Sequence, residues 1–271
     1  MLGFLIRRKA WLELYSCIYY RFFMKIISLN IWGGRIHNPL LNFFRSVQDI
    51  DAFCLQEVFD GHDGLDEEGN VLNIFSQIQS ALPNHEGFFA PAQKGFRGFA
   101  DASFGLAMFI RRELNPKKPK SEFIHLTQNS LVGNDMKTLG KNIQYTIVDG
   151  LTLAHFHGLW TGGDKEDSAT RISQSNTVMS ILEKQPHLQV LMGDFNLLPH
   201  TASLKILTNR RRDLIAEFTI TSTRSSLYTK HPRFADYAIV TPDLAVKNFH
   251  VLQDEISDHL PLLLEVRELK K

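Results

Sequence analysis

Short apolar runs, each stopped by turn residues, recur along almost the whole chain and limit what it can fold into. Residues 26–31, 52–55, 106–110, 143–148, 151–156, 190–192, 237–240 and 262–266 form such runs and read as strands. Several lack alternation, as in strands covered on both faces. Between them, apolar residues recur at spacings of three and four over 39–50, 71–82 and 169–182, which predicts helices. Ser168 is placed to cap the third. A shorter helix is expected over 201–207, just after Pro199. Residues 60–70 are polar and acidic, with Gly61, Gly64 and Gly69, and read as a loop. Residues 116–120 and 209–212 read as basic turns. No repeat or linker interrupts this order, so one α/β domain is expected over residues 24–271.

Composition narrows the function classes. The chain has 271 residues and a net charge of +1, with 44% apolar and 22% charged residues. These are globular values, not those of a disordered or fibrous chain. A near-neutral chain is not a strongly basic nucleic-acid binder, so nucleic acid could be held only by a local patch. Cys17 and Cys54 form no disulfide framework, and Cys54 sits in an apolar run. A reducing, cytoplasmic location is expected. Residues 1–23 stand apart as an N-terminal extension, apolar but carrying Arg7, Arg8, Lys9 and Arg21. The basic cluster lies inside the apolar stretch and no small-x-small site follows, which argues against a signal peptide. An interfacial helix and a true start at Met24 both stay open. No apolar run is long enough to span a bilayer.

Five stretches place polar residues at the ends of apolar strands. Asn30 follows the first strand and precedes Gly33-Gly34. Glu57 ends the run 52–55 and its extension, where a carboxylate needs an ion partner or a cation. His155 and His157, two apart on a strand, share a face. In Gly193-Asp194-Phe195-Asn196, extended geometry points Asp194 and Asn196 one way and Phe195 the other. Ser257-Asp258-His259-Leu260-Pro261 sets a carboxylate beside an imidazole that could do acid-base work. Taken singly, each also fits a strand-ending polar turn, a buried ion pair or a structural histidine.

Taken together and in order, these stretches resemble the endonuclease/exonuclease/phosphatase superfamily, the group of pancreatic deoxyribonuclease. The matching segments are Asn30, Leu55-Gln56-Glu57, His157, Gly193-Asp194-Phe195-Asn196, Asp236-Tyr237 and Ser257-Asp258-His259. The helix over 168–180, with Arg171 and Gln174, is also similar. The resemblance implies a four-layer α/β/β/α sandwich of two mixed sheets flanked by helices. It implies cleavage of a phosphoester by water with Mg2+, or Mn2+ in its place. Glu57 is then the main metal ligand, a hard oxygen donor suited to Mg2+, with Asn30 and Asp258 completing or bordering the site. His259 pairs with Asp236. Asp194 holds or deprotonates the attacking water, and His157 and Asn196 donate to the non-bridging oxygens. His155 stands where many members carry a small polar residue and is left out of the catalytic set.

The substrate stays open at this stage. A phosphodiester is expected, with nucleic acid first. Arg111, Arg112, Lys117, Lys118, Lys120 and Arg210-Arg211-Arg212 are the candidate backbone contacts. A lipid head group is the alternative, because Glu57-Val58-Phe59-Asp60 is similar to bacterial sphingomyelinases and residues 1–23 could touch a membrane. A small-molecule phosphatase also shares the pattern. A binding module without catalysis is disfavoured, since every metal-handling and proton-handling position is filled. No protein partner is inferred, and a monomer is expected.

Overall fold

The structure, a computed structural model, describes residues 23–96, 99–133 and 135–268. The N-terminal extension falls almost wholly outside the described residues. Two six-stranded sheets face each other. The first contains β1 (Met24–Asn30), β2 (Ala52–Asp60), β3 (His85–Phe96), β4 (Phe99–Arg111), β11 (Leu244–Val251) and β12 (Leu262–Glu268), in the order β11-β12-β1-β2-β4-β3. The second contains β5 (Lys120–His125), β6 (Lys141–Val148), β7 (Leu151–Phe156), β8 (Gln189–Asp194), β9 (Arg212–Asp213) and β10 (Asp236–Val240), in the order β5-β6-β7-β8-β10-β9. Both sheets are mixed: β1 runs parallel to β2, and β7 to β8, while the other pairings are antiparallel.

The apolar runs without alternation follow from this layering. In β1 and β2, Ile27, Leu29, Phe53 and Leu55 pack outward with α1 (His37–Ser46) and α2 (Ile74–Ala81). Ile26, Ala52 and Cys54 pack inward against the second sheet. Each strand thus buries both faces, and each neighbour supplies apolar area worth about 25 cal/mol per Å². Burial pushes the Cys54 thiol up, so it is an inert core residue. On the far side, α3 (Ala169–Leu182) buries Val178, Ile181 and Leu182, followed by α4 (Ala202–Thr208) and the one-turn α5 (Leu214–Glu217). Ser168 caps α3 as expected, its Oγ accepting from the Arg171 N–H at 3.2 Å. The expected four-layer α/β/β/α sandwich is the fold found.

All eight expected runs lie in strands, except that Ile31 falls just past β1. β3, β5, β9 and β11 were not expected. The helix foreseen over 39–50 begins earlier, at His37, and the one over 71–82 starts at Ile74. Lys120 and Arg212, placed in turns by composition, open β5 and β9.

Candidate active site

Strand register brings the polar strand ends to one end of the sandwich. Parallel pairing sets Asn30 opposite Gln56, so Asn30 lies beside Glu57. Antiparallel pairing sets Asp236 opposite Asp194. Pairing of β12 with β1 puts Leu262 against Ser28, which delivers the preceding Asp258-His259 to the same end. Ser257 fastens that loop, its Oγ donating to the Asn30 carbonyl at 2.7 Å. The first sheet therefore supplies Asn30, Glu57, Asp258 and His259. The second supplies His157, Asp194, Asn196 and Asp236.

All eight residues expected from the sequence meet in one connected group. Asn30 Nδ2 donates to Glu57 Oε1 at 2.9 Å and to Asp194 Oδ2 at 3.1 Å. His157 Nε2 stands 3.8 Å from Glu57 Oε1 and 3.7 Å from Asp194 Oδ2. His259 Nδ1 donates to Asp236 at 2.7 Å, and its Nε2 reaches within 3.5 Å of Asp194 Oδ2. Asp236 also accepts from Thr223 Oγ1 at 2.8 Å. Asp258 Oδ2 accepts from Arg224 at 2.9 Å. The Asn196 backbone N–H donates to Asp194 Oδ1 at 3.0 Å.

Two local devices aim these groups. The β2–β4 ladder shifts register between Leu55 and Val58, and Glu57 there has φ 56°. The bulge takes Glu57 out of the strand's alternation and leaves its side chain half-buried at the cleft, while Gln56 stays fully buried. At the other corner, Phe195 stacks between Phe156 at 4.3 Å and Tyr237 at 5.4 Å. That buried ring pins the turn from which Asp194 and Asn196 project. Gly193, at φ 137°, and Gly158 allow the turn to press on β7, because a Cβ on either would enter a backbone carbonyl of Phe156 or Phe195.

The charges in this group are set by burial and by one another. Burial pushes the Glu57 carboxyl up; the Asn30 hydrogen bond opposes this, and nearby Asp258 and Asp194 add to it. Burial also works against ionised Asp194, but the charges of His259, Arg224 and Lys165 outweigh it and hold that carboxyl below the usual range. Burial lowers His259, yet Asp236, Asp258 and Asp194 prevail over it and over Arg224, leaving the imidazole above its ordinary value. His157 is driven down to about 3 by burial, with Lys141 adding to it, so it is neutral.

An open cleft of about 520 Å³ exposes this group. Its wall includes Trp32, Trp160 and Tyr228. Sequence reading missed three cations on its floor: Lys141, Lys165 and Arg224. Arg224 stacks its guanidinium on the Tyr228 ring at 4.3 Å. The one available signal was a lysine opening an apolar strand at Lys141. His155 is not in the cleft. It lies fully buried between the sheets, its Nδ1 accepting from Gln56 and its Nε2 donating to Gln144, each at 3.0 Å.

Two sets of side chains could hold a cation. Ligand atoms of Asp194, Asp236 and His259 lie within 4.8 Å of one another. In that set His259 Nδ1 is already committed to Asp236, and Asp194 accepts from Asn30 and Asn196. Glu57 and Asp258 both line the cleft, and the Asp258 charge is felt at Glu57; this all-oxygen set carries charge that a hard divalent cation would relieve. Asn30 turns its amide nitrogen, not its oxygen, to both carboxylates, and its oxygen accepts from the Trp32 N–H at 3.0 Å. In this arrangement it borders such a site as a positioning donor.

The Endonuclease/Exonuclease/phosphatase family model matches residues 27–259. No curated protein matches the chain. Among solved structures, an endonuclease/exonuclease/phosphatase family protein from Bacteroides thetaiotaomicron is 17% identical, with a TM-score of 0.67 over 90% of this chain and 97% of that one. A mannosyl-6-phosphatase from the same organism is 16% identical, with a TM-score of 0.65 over 90% of this chain and 99% of that one. The human Nocturnin catalytic domain with bound sulfate is 18% identical, with a TM-score of 0.59 over 91% and 94%. At such identities these likenesses show the fold, which agrees with the layers and strand order described above. The family match spans every residue of the connected group, from Asn30 to His259. The chain belongs to the endonuclease/exonuclease/phosphatase family, hydrolases that act on phosphoester bonds.

Proposed function

We propose that this protein hydrolyses a phosphoester by metal-assisted attack of water, within a single domain over residues 24–271. The observation that carries the reading is the meeting of Asp194 with His157 and His259, at 3.7 and 3.5 Å, beside half-buried Glu57 at the mouth of the cleft. Mg2+, or Mn2+, held by Glu57 with Asp258 nearby, would supply positive charge to the phosphate oxygens. Asp194 stays ionised and can hold the attacking water by one oxygen while Asn30 and the Asn196 N–H hold the carboxylate still. His259 Nε2 faces the same oxygen, and Asp236 fixes its other nitrogen as a donor. Neutral His157 and the Asn196 amide can donate to the non-bridging oxygens as charge grows there.

Nucleic acid was the first substrate expected from the sequence, through its basic turns. Arg111 is paired with Asp51 and the Gln48 and Ile50 carbonyls at the end of the sandwich away from the cleft. Arg212 sits opposite Val240, also at the far end, and is paired with Glu217. Arg111 and Arg212 therefore lend no support to a nucleic-acid track into the cleft. The reading is tested by hydrolysis of p-nitrophenyl phosphate and bis(p-nitrophenyl) phosphate with Mg2+ or Mn2+, beside a chelated control. Turnover that needs the metal supports it. Equal turnover with chelator present overturns it.

A further inference from the structure

Twelve residues, 157–168, join β7 to α3 without a helix or strand of their own, and they supply part of the cleft wall. A stretch of that length inside a packed domain needs something to hold it. Trp160, Gly162 and Gly163 line the cleft, with Trp160 41% exposed. Arg171, in the first turn of α3, is 3% exposed and grips the loop from behind. One arm of its guanidinium donates to the Glu166 carbonyl at 2.6 Å. The other donates to the Asp164 carbonyl at 2.8 Å and, more weakly, to Thr161 Oγ1 at 3.4 Å. One turn further along α3, buried Gln174 accepts from the Leu159 N–H at 3.1 Å. From the loop itself, buried Lys165 reaches away from α3 and donates to the Phe234 carbonyl at 2.7 Å, just before β10.

Burying a guanidinium is costly, and α3 does not need one for packing, since it meets the core through Val178, Ile181 and Leu182. Every side-chain hydrogen bond that Arg171 makes goes to the loop, and its Nε has no partner among the described residues. Its flat fork fixes two carbonyls at once, which an ammonium cannot do. Lys165 ties the same loop to ground that is already firm. The Ala235 carbonyl, next to its acceptor, accepts from the Phe195 N–H at 2.8 Å, and Asp236 pairs with Asp194 in the β8–β10 ladder. We infer that Arg171 is a positioning residue for substrate binding: together with Lys165 it straps the β7–α3 loop on two sides, and so fixes the wall that Trp160, Gly162 and Gly163 present to the ester. The inference rests on the reading that the ester binds in this cleft. A slack loop would weaken binding and leave Asp194 and His259 in place, because those two are held by the sheets and by Asp236.

The test compares wild type with Arg171→Met, Arg171→Lys, Lys165→Met and the double variant Arg171→Met/Lys165→Met. Initial rates are read with Mg2+ on whichever of p-nitrophenyl phosphate and bis(p-nitrophenyl) phosphate wild type turns over, and amide hydrogen exchange is followed by mass spectrometry. Arg171→Met and Lys165→Met should each raise KM by about tenfold, with kcat within about twofold of wild type. Arg171→Lys, which keeps the charge but not the fork, should recover only part of the loss. The double variant should be no worse than about twofold beyond the weaker single one, because both substitutions release the same loop. Exchange should quicken over residues 158–167 in both single variants and stay as in wild type over 175–182. A fall in kcat at unchanged KM, KM losses that multiply in the double variant, or faster exchange spread along α3 without a change in the loop would overturn the inference. Should Arg171→Met fail to fold, Arg171→Lys and Lys165→Met carry the same comparison. If wild type hydrolyses neither ester with any metal, the metal-assisted reading fails by itself. Exchange then decides: a loop loosened by both Lys165→Met and an Arg171 variant upholds the strap, and a loop that exchanges as in wild type removes it.

Discussion

Asp194 and His259 meet across the seam between the sheets, one held as a carboxylate and the other pushed towards imidazolium. If they handle the water as proposed, His259→Ala and Asp194→Asn should each lower kcat by about 10²- to 10⁴-fold. Both should keep a native circular dichroism spectrum; near-normal turnover in either would show that the water is handled elsewhere. His155 makes the opposite case, a histidine whose effect should be on stability. Burial drives it down to about 3, and Gln56 and Gln144 hold its neutral form. The unfolded chain binds that proton near pH 6.5, so between about pH 6.5 and 3 the unfolded state carries one more proton than the folded state. Stability from this residue is therefore full above pH 6.5 and falls by roughly 1.4 kcal/mol per pH unit as pH drops. Urea unfolding across that range should show a shallower acid slope in His155→Gln than in wild type. An unchanged slope would mean that His155 is protonated in the folded protein. The sequence placed His155 and His157 on one strand face, but only the sheet-to-sheet packing separates the buried clamp from the cleft residue.

Elements differ in how openly the chain declares them. β1, β2 and β8 were legible because buried strands leave unbroken apolar runs, and α3 because Ser168 marks its start. β3 was not, because Gly87, Pro91 and Gly95 break the pattern, and those positions are tolerated at a sheet edge with two register shifts. β5 is largely polar and also an edge strand. The site residues on strand ends were legible as interrupted apolar runs. Lys165 and Arg224 were not, since they come from loops that no periodicity marks. The corner after β8 shows how an element's backbone serves the site. Gly193→Ala would force a Cβ onto the Phe156 carbonyl at a φ of 137°, and neither strand can give way. A loss of about 2–4 kcal/mol in urea unfolding is expected, together with lower kcat, since Asp194 and Asn196 shift with the turn. A fully stable, active variant would show that β7 and β8 can separate there at no cost.

At the scale of the whole molecule, the sandwich has a chemical end and a plain end. Along β2, Glu57 lies roughly 17 Å from Ala52, at about 3.3 Å per residue. Ala52 pairs with Ile110, so Arg111 sits at the plain end, and Lys117, whose carbonyl accepts from Thr146 Oγ1, lies towards it. The cleft end instead gathers five of the six exposed large apolar residues among the described ones: Leu65, Leu126, Val132, Trp160 and Leu227 stand on loops that leave or enter strands there. Charge at the plain end is separated from the reacting group by more than the screening length of about 8 Å at physiological salt. It follows that Lys117→Glu combined with Lys118→Glu should leave kcat/KM on a small phosphate ester within about twofold of wild type. A polymer tracked along these turns behaves differently, because each lost phosphate contact flattens the salt dependence of its affinity by about 0.9 in log–log slope. DNA binding measured against salt, in wild type and the double variant, separates the two cases. Superimposable slopes are expected; a slope that falls by one or two units in the variant would return these lysines to a nucleic-acid track reaching round the molecule to the cleft.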